Sequence, residues 1–225
     1  MKIILASSFN NIAKTEDGKK YAVAISDDNQ FLTNLKKYIP KFDSAVMVAN
    51  DPTDFDTTDF YSDLLFQSLE LSGLDFKTKV VFDNRNKDLA EEIFANADLI
   101  FLAGGKVDVQ SVFFKDIKMA KLLRSNKALI VGGSAGAMNL CETVLNFPNF
   151  IKGIGLCDKI IVPHFDGANK SYKRDGNDEY DNLMALSVNQ ELIGIDEHSY
   201  LLLTDKEVKP FGNIYRIIDK ICQRY

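Results

Sequence analysis

Short apolar runs recur along the chain, separated by longer amphipathic stretches. The runs are KIILA, YAVAIS, SAVMVAN, KVVFD, DLIFLAGG, KALIVGG, KIIVPH, LIGID and SYLLLT. Most hold about four to six residues that are apolar throughout, the pattern of strands buried on both faces of a parallel sheet. Helical spacing fills the gaps. TDFYSDLLFQSLELSG puts Phe60, Leu64 and Leu71 on one side and ends at Gly73, a residue suited to the position just past a helix. NKDLAEEIFANAD groups Leu89, Ile93 and Phe94, and DVQSVFFKDIKMAKLLRSN groups Val112, Phe113, Ile117, Ala120 and Leu123. DEYDNLMALSVNQ is a later helix. Strand–helix–strand alternation predicts an α/β fold, a three-layer α/β/α sandwich with a mainly parallel sheet. From about Leu192 strand-like runs follow one another with short polar breaks, which predicts a β-rich C-terminal edge and then a short tail. No repeat, low-complexity segment or Pro/Gly linker divides the chain, so residues 1–225 read as one domain.

Composition narrows the function classes. The chain has 225 residues, 46% hydrophobic and 26% charged, with a net charge of -5. That charge opposes generic binding to nucleic acid or to an acidic membrane. The N-terminal apolar run, Ile3 to Ala6, is far shorter than the ~7–15 residues of a secretory leader and reads as a first core strand. Nothing approaches the ~20 apolar residues of a membrane span. Cys141, Cys157 and Cys222 are widely spaced and odd in number, so free thiols in a cytoplasmic setting are expected.

The chemistry centres on KALIVGGSAGAMNL. Gly132-Gly133-Ser134-Ala135-Gly136 fits G-x-S-x-G, a sharp strand-to-helix turn that holds a serine Oγ exposed. Small neighbours let strand and helix approach closely, and AGAMNLCETVL can begin the helix. The Ala135 N–H, at a positive helix end, can then donate to an oxyanion. The competing readings are a tight turn with a filler serine, or a phosphate-binding turn, which would lack its Lys-Ser/Thr ending. Gly104 and Gly105 close another strand and offer a second oxyanion donor. There are two histidines. His164 directly follows an apolar strand; if that strand is parallel to the one before Ser134, both residues emerge at one sheet edge, where active sites of open α/β sheets form. His198 lies between two short strands. The carboxylate that orients the imidazole is Asp166, Asp196 or Glu197.

FLAGGKVDVQ, VGGSAGAMNL, IVPHFD and GIDEHSYLL, spanning roughly Leu99 to Leu203, resemble the dipeptidase E (α-aspartyl dipeptidase) and cyanophycinase family of serine peptidases. The resemblance implies a fold similar to class I glutamine amidotransferases, of flavodoxin-like type, with serine replacing cysteine at the elbow. It implies Ser134 as nucleophile, His164 as base, Glu197 as third member, and an oxyanion hole from Gly104, Gly105 and Ala135. Gln110 falls where family members often carry a glutamine lining the site. Two departures stand out. Where the dipeptidase carries an aspartate beyond its nucleophile, this chain has LNFPNF with Asn149. Where the dipeptidase uses an arginine to read an N-terminal aspartate, this chain offers Lys170, Lys173 and Arg174, of which Arg174 is taken as the substrate-binding residue.

The expected activity is therefore acyl transfer from a small peptide to Ser134 and then to water, in a monomer or homodimer. No cofactor or metal is called for; no H-E-x-x-H pattern is present. Two alternatives remain. One is an α/β-hydrolase esterase that would use Asp158 and His198, in the order serine, acid, histidine. The other is a non-catalytic amidotransferase-like protein that binds a small amino-acid derivative.

Overall fold

The computed structural model describes residues 1–174 and 176–225. Seven strands build the central sheet in the order Val208–Phe211, Tyr200–Leu203, Lys2–Ala6, Leu129–Gly133, Leu99–Leu102, Ser44–Val48, Thr78–Phe82. The five from Lys2–Ala6 onward are parallel. The two C-terminal strands add an antiparallel edge. Side chains alternate between two cores. Ile3, Leu5, Ile100 and Ile130 meet Phe113, Phe114, Leu123 and Ala137 on one face. Ile4, Phe101, Leu129 and Val131 meet Phe31, Leu35, Leu65 and Leu69 on the other. Because both faces are covered, the inner strands are apolar at consecutive positions, and this produces the runs seen in the sequence, whereas the edge strands Val208–Phe211 and Thr78–Phe82 carry Lys209 and Lys79.

The register sets the site. Ala6 pairs with Gly133, and Leu102 pairs with Gly132. The C-terminal ends of three adjacent strands are thus level, and Ser7, Gly104 and Ser134 leave the sheet at one edge.

A second sheet, in the order Ile161–Pro163, Leu192–Ile195, Ile214–Ile218, Ile221–Arg224, packs its Ile161, Ile193 and Ile195 into the first of these cores. The strand before His164 belongs here, not beside the strand before Ser134. A three-residue apolar run carries no information about which sheet it joins. The expected C-terminal tail is the antiparallel hairpin that completes this sheet.

Helical phase differs from expectation at several positions, in the first case for a clear reason. The helix Phe55–Leu71 leaves Phe60 and Leu71 exposed and buries Leu64, Leu65 and Leu69 together with Ser62 and Ser68. Small hydroxyl residues let it lie close to its neighbours, and the Ser68 Oγ donates to the Val23 carbonyl at 2.6 Å. Its ends follow from local chemistry: Asp54 Oδ1 accepts from the Thr57 N–H at 3.1 Å, and Gly73 adopts φ 72°. The stretch 107–125 is two helices, Val107–Asp116 and Met119–Arg124, broken at Lys118, and Val112 is exposed. Leu89 is likewise exposed. Of YAVAIS only the first two residues extend the strand Lys20–Ala22. The helix after Ser134 is short, Ala135–Asn139, so Cys141 lies beyond it, buried opposite Cys157. The β-branched segment that follows forms the strand Thr143–Asn146.

Tyr200 is a buried polar anchor of the second core. Its hydroxyl donates to the Asn29 carbonyl and accepts from Asn34 Nδ2, each at 2.8 Å, and burial pushes the phenol up to about 12. Tyr200→Phe leaves the buried Asn34 amide without this acceptor and is expected to lower stability by about 1–3 kcal/mol, read from urea unfolding midpoints at constant slope.

Candidate active site

The strand Leu129–Gly133 ends abruptly because Ser134 takes φ 48° and ψ −114°, a strained conformation for a residue with a Cβ. The turn is held on both sides. The Ser134 N–H donates to the Ala6 carbonyl at 2.9 Å, and the Ser134 carbonyl accepts from the Met138 N–H at 3.1 Å. Close approach dictates Gly132: a Cβ there would lie 2.6 Å from the Ala137 nitrogen. The result is a serine hydroxyl presented at the sheet edge, at the start of a helix.

His164, at φ 59°, directly follows Ile161–Pro163. Its Nε2 lies 3.0 Å from Ser134 Oγ, and its Nδ1 lies 2.6 Å from Glu197 Oε1. Glu197 reaches this point because Leu192–Ile195 pairs in parallel with the strand before His164, with Pro163 opposite Ile195. The chain then turns at the same level. Ser8 Oγ donates to the other carboxylate oxygen, Glu197 Oε2. The His164 hydrogen bond is the largest influence on Glu197. Together with Ser8 and against partial burial, it holds the carboxyl down at about 2. An ionised carboxylate at Nδ1 favours the tautomer whose proton sits there and leaves Nε2 free to accept from the serine hydroxyl. The His164 N–H donates to Ser7 Oγ at 2.9 Å, which fixes the imidazole's backbone against the first strand.

The rival acids have other partners. Asp196 accepts from the Glu197 N–H at 2.8 Å and from Asn213 Nδ2 at 3.2 Å. Asp166 accepts from Asn169 in its own turn. His198 approaches Ser8 Oγ, and Asp158 faces Lys159 at 3.8 Å, so the order serine, Asp158, His198 does not assemble.

The first helical residue, Ala135, has an N–H with no partner within its helix. A Cβ on Gly104 would stand 3.2 Å from Ser134 Cβ, so the Gly104–Gly105 turn lies directly against the serine. Gly105 has φ 144°. Asn50 clamps the turn: its Oδ1 accepts from the Lys106 N–H at 2.8 Å, and its Nδ2 donates to the Lys106 carbonyl at 3.0 Å. The Gly104 and Gly105 N–H groups find no acceptor among the described residues.

Two expected substrate contacts are placed otherwise. Gln110 is fully buried; its Nε2 donates to the Ala103 carbonyl at 2.8 Å and its Oε1 accepts from Asn139 Nδ2 at 3.1 Å. An amide spent in this way acts on the site by tying the Gly104 turn to the elbow helix, not by lining it. Arg174 lies over the Phe147 ring, 5.5 Å from its centroid, and is not among the residues lining the cavity at the Gly104–Gly105 turn. Sequence reasoning missed Ser7, Ser8 and Asn50. The available signal was position alone: each is a polar residue just past the C-terminal end of a parallel strand.

Beside the Gly104–Gly105 turn opens a cavity of about 540 Å³. Among the described residues no group of three or more His, Cys, Asp or Glu is placed to hold a metal ion, and no helix is long and apolar enough to cross a membrane.

Among solved structures the chain is similar in fold to a protein of Listeria monocytogenes EGD-e named as a peptidase E candidate. The TM-score is 0.61 at 16% identity, over 93% of this chain and 96% of that chain. No curated protein sequence matches. The profile of Peptidase family S51 matches residues 28–210, so the chain belongs to this family of serine peptidases, in agreement with the resemblance carried by the four motifs.

Proposed function

We propose that this S51 peptidase hydrolyses an amide bond of a small peptide through an acyl-enzyme on Ser134. His164 Nε2 takes the hydroxyl proton as Oγ bonds to the carbonyl carbon. The Gly105 and Ala135 N–H groups stabilise the oxyanion, with Gly104 shaping that turn. As the C–N bond breaks, the same imidazole gives the proton to the leaving amine. Water, deprotonated by His164, then releases the acid and restores Ser134. Glu197 orients the imidazole and balances its charge. The carrying observation is the run of contacts Glu197–His164–Ser134, at 2.6 and 3.0 Å, on a strained elbow. The name of the Listeria protein supports a dipeptidase or small-peptide exopeptidase. Free Cys141, Cys157 and Cys222 are in keeping with a cytoplasmic enzyme.

Intact-mass labelling with a small fluorophosphonate tests this reading. One adduct per chain is expected, located on Ser134 by peptide mapping and absent from Ser134→Ala and His164→Ala. A folded wild-type protein that takes up no probe would sink it.

A further inference from the structure

We infer that the cavity beside the Gly104–Gly105 turn is the pocket for the acyl-side residue of the substrate, and that it selects a large apolar or aromatic side chain over an acidic one. This inference rests on the serine-peptidase reading above and gives it a substrate class.

Position supports the acyl side. Ser134 stands at the edge of the central sheet, between two layers. The strands leading to His164 and Glu197 belong to the core on one face, with Ile161, Ile193 and Ile195. The cavity is built on the opposite face, by Met47, Leu65 and Phe101 of the other core. The leaving amine must lie toward the group that protonates it, His164 Nε2. On this reading the other substituent of the carbonyl carbon extends away from the imidazole, over the Gly104–Gly105 turn that lies against Ser134, toward the cavity that both glycines line. The distance is short. A Cβ on Gly133, the residue before the serine, would lie 3.4 Å from the Phe9 ring and 3.6 Å from the Phe101 ring, and both rings line the cavity.

The lining gives the chemistry. Phe9 and Phe101 meet edge to face at 4.9 Å between centroids, and Met47 and Leu65 extend the apolar floor. At about 540 Å³ the space lies within the range of about 300–1,000 Å³ common for small-ligand sites, ample for an aromatic side chain. Asp51 and Asp54 also line it, against the single cation Lys106. Asp51 Oδ1 accepts from the Thr53 N–H and hydroxyl, and Asp54 Oδ1 accepts from the Thr57 N–H, so both carboxylates are held in place by their own turn. A substrate carboxylate entering here would meet a net negative lining and an apolar floor, with no arginine to receive it.

The test uses diphenyl 1-aminoalkylphosphonates carrying the side chains of Phe, Leu, Ala and Asp. Each bonds its phosphorus to Ser134 Oγ with loss of phenol, so its rate reports the acyl-side pocket without a leaving amine. The Phe and Leu reagents are expected to react at least about tenfold faster than the Ala and Asp reagents. Thr57→Trp, at an exposed lining position, and Ile12→Trp, at another point on the lining, each narrow the space and should lower the Phe-to-Ala rate ratio by about tenfold. Equal rates for the four reagents, or a faster Asp reagent, in an enzyme that the fluorophosphonate labels would overturn the pocket assignment and leave the serine reading standing. A wild-type enzyme that reacts with none of these reagents, including the fluorophosphonate, overturns both.

Discussion

Ser134→Ala is expected to lower kcat for peptide hydrolysis by about 10⁶, the scale on which removing the nucleophile of a serine peptidase acts. The effect is large because the neighbouring serine hydroxyls are engaged elsewhere. Ser7 is bound to the His164 N–H, and Ser8 is turned to Glu197. The variant should fold, since the interactions that hold the elbow are made by the Ser134 main chain, to Ala6 and Met138. Residual turnover would come from the oxyanion donors and from substrate binding alone. The check is kcat on a cleaved peptide, beside a circular dichroism melt that shows an intact fold. Activity within tenfold of wild type would remove Ser134 from the chemistry.

Glu197→Gln is expected to cost about 10⁴ in kcat. The shape of the side chain is kept, but the neutral amide can present its NH₂ to Nδ1. Such a contact favours the tautomer with its proton on Nε2, which cannot accept from Ser134. KM should change much less than kcat, because the glutamate faces the imidazole and not the cavity. The same residue has a pH signature. Its native value of about 2 lies below the ordinary 4.5, so its contribution to stability is complete above about 4.5 and is lost as pH falls toward 2. Between pH 5 and pH 3 wild type should therefore lose more stability to urea than Glu197→Gln does. The carboxylate is half exposed, so the difference will be modest. Identical slopes for the two proteins over that window would show that the His164 contact does not hold the carboxylate down.

The parts of the fold that were legible in the sequence were those for which burial leaves a continuous signature. Strands covered on both faces must be apolar at every position, so LIFL and LIV announced themselves. The elbow was legible because steric demand leaves only Gly and Ala around Ser134. Helical faces were less so: Ser62 and Ser68 occupy core positions that a search for leucine and phenylalanine passes over. Membership of the second sheet was hidden, because His164 and Glu197 are brought together by pairing between strands of three and four residues. The roles of Gln110 and Arg174 depend on where an amide and a guanidinium find partners, and local pattern does not encode that. Asn50, Ser7 and Ser8 are ordinary residues made special by the register of neighbouring strands.

Ser7, Ser8 and Phe9 are consecutive, yet they touch the imidazole's backbone, the carboxylate and the cavity wall in turn. On the proposed mechanism, recognition and proton transfer would share one short rail of main chain. A substrate side chain seated against the Phe9 ring would bear on the same segment whose serines contact His164 and Glu197. Selectivity in this enzyme should accordingly be expressed in turnover as much as in affinity. A change of specificity that repositions Phe9 will need a compensating adjustment at the end of the first strand.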